Sequence, residues 1–243
     1  MGHRQSFRWH DVSVGKLRKA ENHRGVYEEE KMKLIILDFD GTMGDSEPLI
    51  TRTMLKTIDE LHLEHRTREQ CAAMIGLPLK QTFTDLIPMS DEMGDECAET
   101  YTRIFFENNV EGAVPPFPHV IETIQELHRR GLTITIASSR RRPSLEGYVR
   151  EYHLEDYISY IVSASEVEHA KPHPEPVLKT LQALGVKPED TLVVGDTTFD
   201  ILMGQRAGAH TCGVTYGNGT REQMIDCHAD YLIDDFAELL NLV

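Results

Sequence analysis

Short apolar runs that alternate with helical patterns constrain this chain more than any other feature. From residue 117 onward, apolar residues at helical spacing separate these runs, and Gly ends several of the helical patterns. Strands are predicted at 34–37, 132–137, 160–163, 191–194, 211–214 and 231–233. Apolar runs without polar alternation are typical of parallel strands, which helices cover on both faces. The sequence therefore predicts an α/β fold built on a doubly wound parallel sheet.

Polar residues follow three of the predicted strands. They are Asp38 with Asp40, Ser138 with Ser139, and Asp196 with Asp200 one helical turn later. Because the carboxyl ends of parallel strands lie at one edge of a sheet, we expect these side chains to converge in one crevice. Taken singly, each also has a structural interpretation as a turn former, a helix cap or a first-turn acid.

A helical segment interrupts the alternation directly after the first strand. Residues 47–116 show apolar stripes at helical spacing and are predicted to form an inserted helical domain, with residues 74–82 as a loop that faces the crevice. The core domain is then residues 32–46 and 117–243. Residues 1–31 are polar and without periodicity, so we predict a flexible N-terminal extension there.

Charge and hydropathy exclude several classes of partner. The net charge is −15, which argues against nucleic acid. No apolar run approaches the roughly 20 residues of a membrane span, and the start of the chain has no apolar segment typical of a secretory signal. The four cysteines are widely spaced and match no metal-ligand pattern. We therefore expect a cytoplasmic protein that binds neither membrane nor nucleic acid.

The residue types predicted at the sheet edge suit phosphoryl transfer to a carboxylate. A carboxylate that attacks an anionic phosphate needs charge neutralisation, for which Mg²⁺ with oxygen ligands, a lysine and a hydroxyl donor are the expected groups. Asp38 and Asp196 offer carboxylates, and Lys171 lies in AKPHPEP, a segment that three prolines stiffen. The second carboxyl group after the first predicted strand, Asp40, can protonate the leaving oxygen and then activate water.

Four segments resemble, in order and spacing, the motifs of the haloacid dehalogenase-like hydrolases: DFDGT, TIASS, AKPHPEP and VVGDTTFD. The resemblance spans residues 32–243 and is greatest to the phosphoglycolate phosphatase group. It implies a Rossmann-like core, a helical cap domain at residues 47–116 and Mg²⁺ as cofactor.

The resemblance also implies a role for each matched residue. Asp38 would be nucleophile and metal ligand, and Asp40 general acid and base with its carbonyl oxygen on the metal. The remaining roles are phosphate binding by Ser138 and Lys171, metal binding by Asp196, and support by Thr42, Ser139 and Asp200, with Thr42 positioning Asp40.

Two further basic residues are candidates for substrate binding. Lys80 lies in the predicted loop of the insertion, where it is either a ligand for a carboxylate or second phosphate, or a solvated lysine. Arg140 begins a run of three arginines after Ser139. That run is either a solvated basic cluster or supplies one arginine to the substrate's distal anion.

The leading functional prediction is a Mg²⁺-dependent phosphatase for a small phosphorylated metabolite, either phosphoglycolate or a sugar phosphate. An inorganic pyrophosphatase and a β-phosphoglucomutase-like phosphomutase are alternatives. The phosphomutase hypothesis is weakened, because Ile50 and Leu79 occupy the positions where the β-phosphoglucomutase group has His and Arg. A regulatory binding protein on the same scaffold is the non-enzymatic alternative, and the chain is expected to be a monomer or a homodimer.

Overall fold

The computed structural model of this protein describes residues 32–243. Its centre is a parallel sheet of six strands in the order β3-β2-β1-β4-β5-β6. The strands are β1 (Leu34–Leu37), β2 (Thr133–Ala137), β3 (Ile158–Val162), β4 (Thr191–Gly195), β5 (His210–Val214) and β6 (Tyr231–Ile233). All six coincide with predicted strands to within two residues at either end, so the predicted parallel α/β sheet is confirmed.

Nine α-helices surround or extend this sheet within the described residues. They are α1 (Glu47–Glu60), α2 (Arg68–Ala72), α3 (Leu79–Leu86), α4 (Asp91–Asn108), α5 (Val120–Arg129), α6 (Arg142–Glu151), α7 (Glu175–Leu184), α8 (Thr198–Ala207) and α9 (Arg221–Asp226). The first four lie between β1 and α5, and we call residues 47–116 the helical insertion. That this insertion is a separate domain stays a prediction.

The strand β1 shows why the sheet is covered on both faces. Successive side chains of a strand point to opposite faces. Leu34 and Ile36 pack with residues of α7 and α8, whereas Ile35 and Leu37 pack with residues of α5 and α6. All four are fully buried, and each such burial stabilises the fold by about 1.5–3 kcal/mol. A doubly wound sheet is the arrangement that buries an uninterrupted apolar strand.

The register of the central strands aligns the ends that carry the predicted site residues. Leu37 of β1 pairs with Ile136 of β2 on one side and with Val194 of β4 on the other. The chain therefore leaves all three strands at the same edge of the sheet. Residues that follow β1, β2 and β4 are brought together there, as topology predicts for an open α/β sheet.

Local sequence signals account for most of the helical insertion. Pro48 lies in the first turn of α1, and Thr67 with Gln70 forms the predicted capping box of α2. The predicted loop over residues 74–82 is wrong in its second half, because α3 begins at Leu79. Leu79, Phe83 and Leu86 recur at helical spacing and pack into the core, which explains this helix.

The insertion is joined to the core by backbone pairing. Gly44 forms an antiparallel bridge with Pro116, and Phe117 N–H donates to the carbonyl oxygen of Met43 at 2.9 Å. The two connections of the insertion thus run side by side.

Two sequence predictions concern features beyond this architecture. No helix within residues 32–243 is long and apolar enough to cross a membrane. The predicted flexible extension, residues 1–31, lies outside the described residues.

Candidate active site

Three buried carboxylates meet at the carboxyl edge of the sheet. Asp38 directly follows β1, Asp196 directly follows β4, and Asp200 lies in the first turn of α8. Each is less than a tenth exposed, and one oxygen from each lies within 4.8 Å of the others. The convergence that the strand order predicts is therefore present.

Lys171 supplies the cation at this cluster. Its Nζ lies 2.6 Å from Asp38 Oδ1 and 2.7 Å from Asp200 Oδ1, and its side chain is only 4% exposed. Burial alone would lower the pKa of Lys171, but the attraction of Asp200 and Asp38 raises it instead. The lysine is therefore held as a cation between two carboxylates.

One lysine does not balance three buried carboxylates. Burial raises the pKa of Asp38 from its usual 3.8 to about 7, Lys171 opposes this shift, and Asp200 and Asp40 reinforce it. Burial, followed by the negative charges of Asp200 and Asp38, raises the pKa of Asp196 well above its usual range. A buried cluster of hard oxygen donors with excess negative charge fits a divalent cation such as Mg²⁺. Asp38 and Asp196 would hold it, with Asp200 within reach.

Asn218 orients Asp196 and is a site residue that the sequence interpretation missed. Its backbone N–H and its side-chain Nδ2 donate to Asp196 Oδ2, at 2.7 and 2.9 Å. Thr42 Oγ1 lies 3.4 Å from the other oxygen, Oδ1. The only signal in the sequence was the turn-forming segment TYGNGT after a strand of the same sheet.

Two glycines let the backbone approach Asp196 closely, one in the loop after β1 and one in the segment TYGNGT. Gly41 has a φ of +80°, and a Cβ there would lie 2.0 Å from Asp196 Oδ2. A Cβ on Gly217 would lie 2.4 Å from Asp196 Cβ. A side chain at either position would displace the carboxylate, so space requires glycine at both, and the positive φ requires it at Gly41 as well.

We expect replacement of Asn218 to weaken metal binding. Asn218→Ala removes the Nδ2 donor that fixes Asp196 Oδ2, and loss of such an orienting partner commonly lowers metal affinity by about 10–100-fold. The affinity is measured from the melting temperature of the protein at increasing Mg²⁺ concentrations. Asn241→Ala, an exposed position, is the matched control. Equal Mg²⁺ affinity in the two variants would contradict the assigned role.

Asp40 is bound by Arg140 and Ser46. Ser46 Oγ donates to Asp40 Oδ1 at 2.5 Å, and Arg140 Nε lies 2.8 Å from Oδ1 and 2.7 Å from Oδ2. Burial alone would lower the pKa of Arg140, but attraction and hydrogen bonding by Asp40 raise it. The sequence interpretation placed Arg140 near the substrate's distal anion or in solvent. The structure buries it against Asp40, so the solvated alternative is wrong for Arg140, and its contact with substrate stays a prediction.

The two serines after β2 have different partners. Ser138 is buried, and its Oγ accepts a hydrogen bond from the Arg140 N–H at 3.4 Å. Ser139 Oγ donates to the carbonyl oxygen of Gly76 at 2.7 Å, which ties the sheet edge to the insertion. The predicted role of Ser138 in phosphate binding and that of Ser139 in substrate support stay predictions.

Lys80 is not among the residues that the structure brings to the strand ends. It belongs to α3, where its Nζ lies 2.7 Å from Asp91 Oδ1 and 3.0 Å from Asp95 Oδ1. Acidic residues of the neighbouring helix α4 thus already pair with this ammonium group. Its predicted contact with substrate stays a prediction.

The remaining predicted support residues lie at the site. Asp200 Oδ2 accepts hydrogen bonds from the Thr197 N–H and Oγ1, at 3.1 and 2.7 Å, while its Oδ1 binds Lys171. This capping box fixes Asp200 at the start of α8. The described hydrogen bond of the Thr42 side chain is to Asp196, and its predicted role in positioning Asp40 stays a prediction.

Known proteins are similar to this chain in sequence and in fold. A family model for haloacid dehalogenase-like hydrolases matches residues 35–214. The chain is 35% identical to pyrophosphatase PpaX of Anoxybacillus flavithermus over 209 residues, which are 86% of this chain and 95% of that protein.

Two solved structures resemble the fold along nearly their whole length. A haloacid dehalogenase-like hydrolase from Bacteroides fragilis has a TM-score of 0.82 and 25% identity, covering 86% of this chain and 100% of that one. A structure described as a predicted phosphoglycolate phosphatase from Haemophilus somnus has a TM-score of 0.80 at 22% identity, covering 88% and 99%.

Proposed function

The chain belongs to the haloacid dehalogenase-like hydrolase family and is a phosphatase, and from this premise we propose that it hydrolyses a small phosphorylated metabolite through an aspartyl phosphate on Asp38, with Mg²⁺ as cofactor. The observation that supports this most strongly is the buried group of Asp38, Lys171, Asp196 and Asp200 at the strand ends. It combines a carboxylate nucleophile with a fixed cation and a second set of oxygen donors.

The first half of the proposed reaction transfers the phosphoryl group to Asp38. Lys171 binds Oδ1 of Asp38, so the attacking atom is Oδ2. A bond forms between Oδ2 and phosphorus while the bond from phosphorus to the leaving oxygen breaks, and Asp40 gives that oxygen a proton. Lys171 and Ser138 bind the oxygens of the transferred group and stabilise the charge that develops on them.

The second half regenerates the enzyme. Asp40 takes a proton from a water molecule, whose oxygen forms a bond to phosphorus while the bond between phosphorus and Oδ2 of Asp38 breaks. Inorganic phosphate leaves, and the Asp38 carboxylate is restored. Asp38 and Asp196 would hold Mg²⁺, which neutralises phosphate charge when bound. Asn218 and Asp200 keep Asp196 and Lys171 in place.

Inorganic pyrophosphate is the second candidate substrate. The observation in its favour is the 35% identity to a protein named pyrophosphatase PpaX, along 95% of that protein's length. The leaving group of pyrophosphate is itself a phosphate, so the proposed steps apply to it without change. A phosphomutase remains less favoured, because Ile50 and Leu79 carry no polar group for a sugar phosphate.

A panel assay tests the proposal. Purified protein is incubated with phosphoglycolate, several sugar phosphates and pyrophosphate, each with Mg²⁺ or with a chelator, and released phosphate is measured. We expect release from at least one compound with Mg²⁺ and near-complete loss on chelation. Full turnover after exhaustive chelation would remove Mg²⁺ from the proposal, and no release from any compound would remove the substrate class.

We also expect stabilisation by Mg²⁺ to increase with pH. The folded-state pKa of Asp38 is raised from 3.8 to about 7, so its stabilising contribution is complete below pH 3.8 and is lost as pH rises through 7. For the metal-free protein this loss is on the order of a few kcal/mol, and a bound divalent cation would offset it.

The measurement is the melting temperature between pH 4.5 and 8, with Mg²⁺ and with a chelator. The shift caused by Mg²⁺ should grow over that range in wild type and stay small throughout in Asp38→Asn, which lacks one ligand. A shift of equal size at pH 5 and pH 8 would contradict the prediction.

A further inference from the structure

The carboxylate of Asp40 is held unequally at its two oxygens. Oδ1 lies within hydrogen-bond distance of Ser46 Oγ and Arg140 Nε, and Arg140 Nη2 is 2.6 Å away. Oδ2 is contacted by Arg140 Nε alone, at 2.7 Å. A carboxylate oxygen can accept two hydrogen bonds, so the partners of Oδ1 are complete, whereas Oδ2 has room for one more.

Arg140 is itself enclosed by aromatic rings from two parts of the molecule. Its guanidinium carbon lies 5.4 Å from the ring centroid of Phe39 and 5.1 Å from that of Tyr148, both in the core. It also lies 5.2 Å from the ring centroid of Phe105, which belongs to α4 of the helical insertion. The arginine is 10% exposed, so these contacts determine where its fork can point.

From this geometry, and resting on the proposed function, we propose that Arg140 is the positioning residue for Asp40 and that the helical insertion acts on Asp40 through the contact between Phe105 and Arg140. Asp40 is the group that exchanges protons with the leaving oxygen and with water. Misplacement of such a group by about 1 Å lowers rates by about 10²-fold. Arg140 therefore contributes to the two proton-transfer steps without contacting substrate.

A double-mutant cycle separates positioning from direct substrate binding. Arg140→Gln, Asp40→Asn and the double variant are compared in single-turnover reactions with p-nitrophenyl phosphate and Mg²⁺, following phosphorylation and dephosphorylation of the enzyme separately. We expect Arg140→Gln to slow dephosphorylation by about 10–100-fold. In the Asp40→Asn background it should cause no further loss. An equal loss in both backgrounds would mean that Arg140 acts on substrate directly, which would overturn the proposal.

Conservative and neighbouring variants exclude a purely structural effect. Arg140→Lys keeps the charge but loses the fork, so it should slow the same step by an intermediate factor. Phe105→Leu should slow it several-fold by loosening Arg140. The matched controls are Phe106→Leu, next to Phe105 but 64% exposed, and Arg150→Gln, an exposed arginine of α6. Both controls should match wild type, and a uniform loss across all steps and variants would contradict the proposal.

A crystal structure of Arg140→Gln provides a readout that does not depend on activity. We expect the Asp40 carboxylate to leave its position beside Ser46 Oγ in the variant, while Asp38 and Lys171 stay in contact. If Asp40 keeps its position, the inference fails whatever the enzyme hydrolyses. If wild type releases no phosphate but Asp40 moves as expected, the proposed function fails and the positioning role stands.

Discussion

Replacing Asp38 with Asn should abolish turnover, by at least about 10⁴-fold. An amide does not attack phosphorus, and it also removes one charge from the carboxylate cluster that would hold Mg²⁺. Lys171 would lose one of its two anionic partners and keep Asp200. The variant should still fold, because the substitution preserves the shape of the buried side chain.

Mass spectrometry of the intact, quenched protein tests where the phosphoryl group goes. Asp40→Asn protein mixed with an aryl phosphate and Mg²⁺ should gain one phosphoryl group that maps to Asp38, since water activation is slowed in that variant. The Asp38→Asn protein should gain none.

Asp190→Asn is the matched control for this experiment. Asp190 lies at the opposite end of β4, where Lys33 Nζ is 2.7 Å away. It should show wild-type turnover. Asp38→Asn protein that kept a tenth of wild-type turnover, or a phosphoryl group mapped to another residue, would remove Asp38 as the nucleophile.

Replacing Lys171 with Met should destabilise the protein and inactivate it. The change leaves Asp38, Asp196 and Asp200 buried without a cation, and breaking a buried ion pair from one side costs about 3–5 kcal/mol. For a chain of this size, 3 kcal/mol corresponds to a decrease in melting temperature of about 6–12 °C. Turnover should fall by about 10²–10³-fold, because a fixed donor to the transferred group is lost.

The stability penalty of Lys171→Met should depend on pH. At pH 5, Asp38 with its pKa raised to about 7 is largely protonated, so less uncompensated charge remains. Without Lys171 the pKa of Asp38 rises further, so ionising this buried carboxyl costs more in the variant than in wild type, and the penalty should be larger at pH 8. Chemical denaturation with a chelator present measures the free energy of unfolding at both values.

Lys179→Met is the control for the loss of a lysine. Lys179 pairs with Glu175 at 2.8 Å but is 42% exposed, so its removal should change stability by about 0–1 kcal/mol at either pH. A Lys171→Met penalty as small as that of Lys179→Met would contradict the role of Lys171 as the cation of a buried cluster.

The sequence predicted those parts of the site that depend on strand order. Asp38 and Asp196 follow short apolar runs that are typical of buried parallel strands, and parallel topology then places both at one edge. Lys171 was predicted from its motif and its stiff segment, and the structure places its ammonium group between carboxylates. Such residues are predictable because period and topology determine their position.

The parts that were missed depend on the paths of loops and on long-range pairing. Asn218 reaches Asp196 from a turn 22 residues away in the chain, and Arg140 meets Asp40 across 100 residues. No local pattern encodes which of three consecutive arginines turns inward. Lys80 is a residue for which the sequence suggested a substrate contact and the structure shows ion pairs. Its partners Asp91 and Asp95 lie on a neighbouring helix, and periodicity alone does not show how two helices pack together.

The contact between Lys171 and Asp38 joins residues 133 positions apart, and that between Lys171 and Asp200 joins residues 29 apart. A partly folded chain therefore cannot catalyse phosphoryl transfer, because the reaction needs β1, the segment before α7 and the start of α8 in their native positions together. Recovery of hydrolysis after dilution from denaturant would consequently lag behind recovery of helical circular dichroism. Its time course would report completion of the last long-range contacts in the core, which makes catalysis a probe of the final stage of folding.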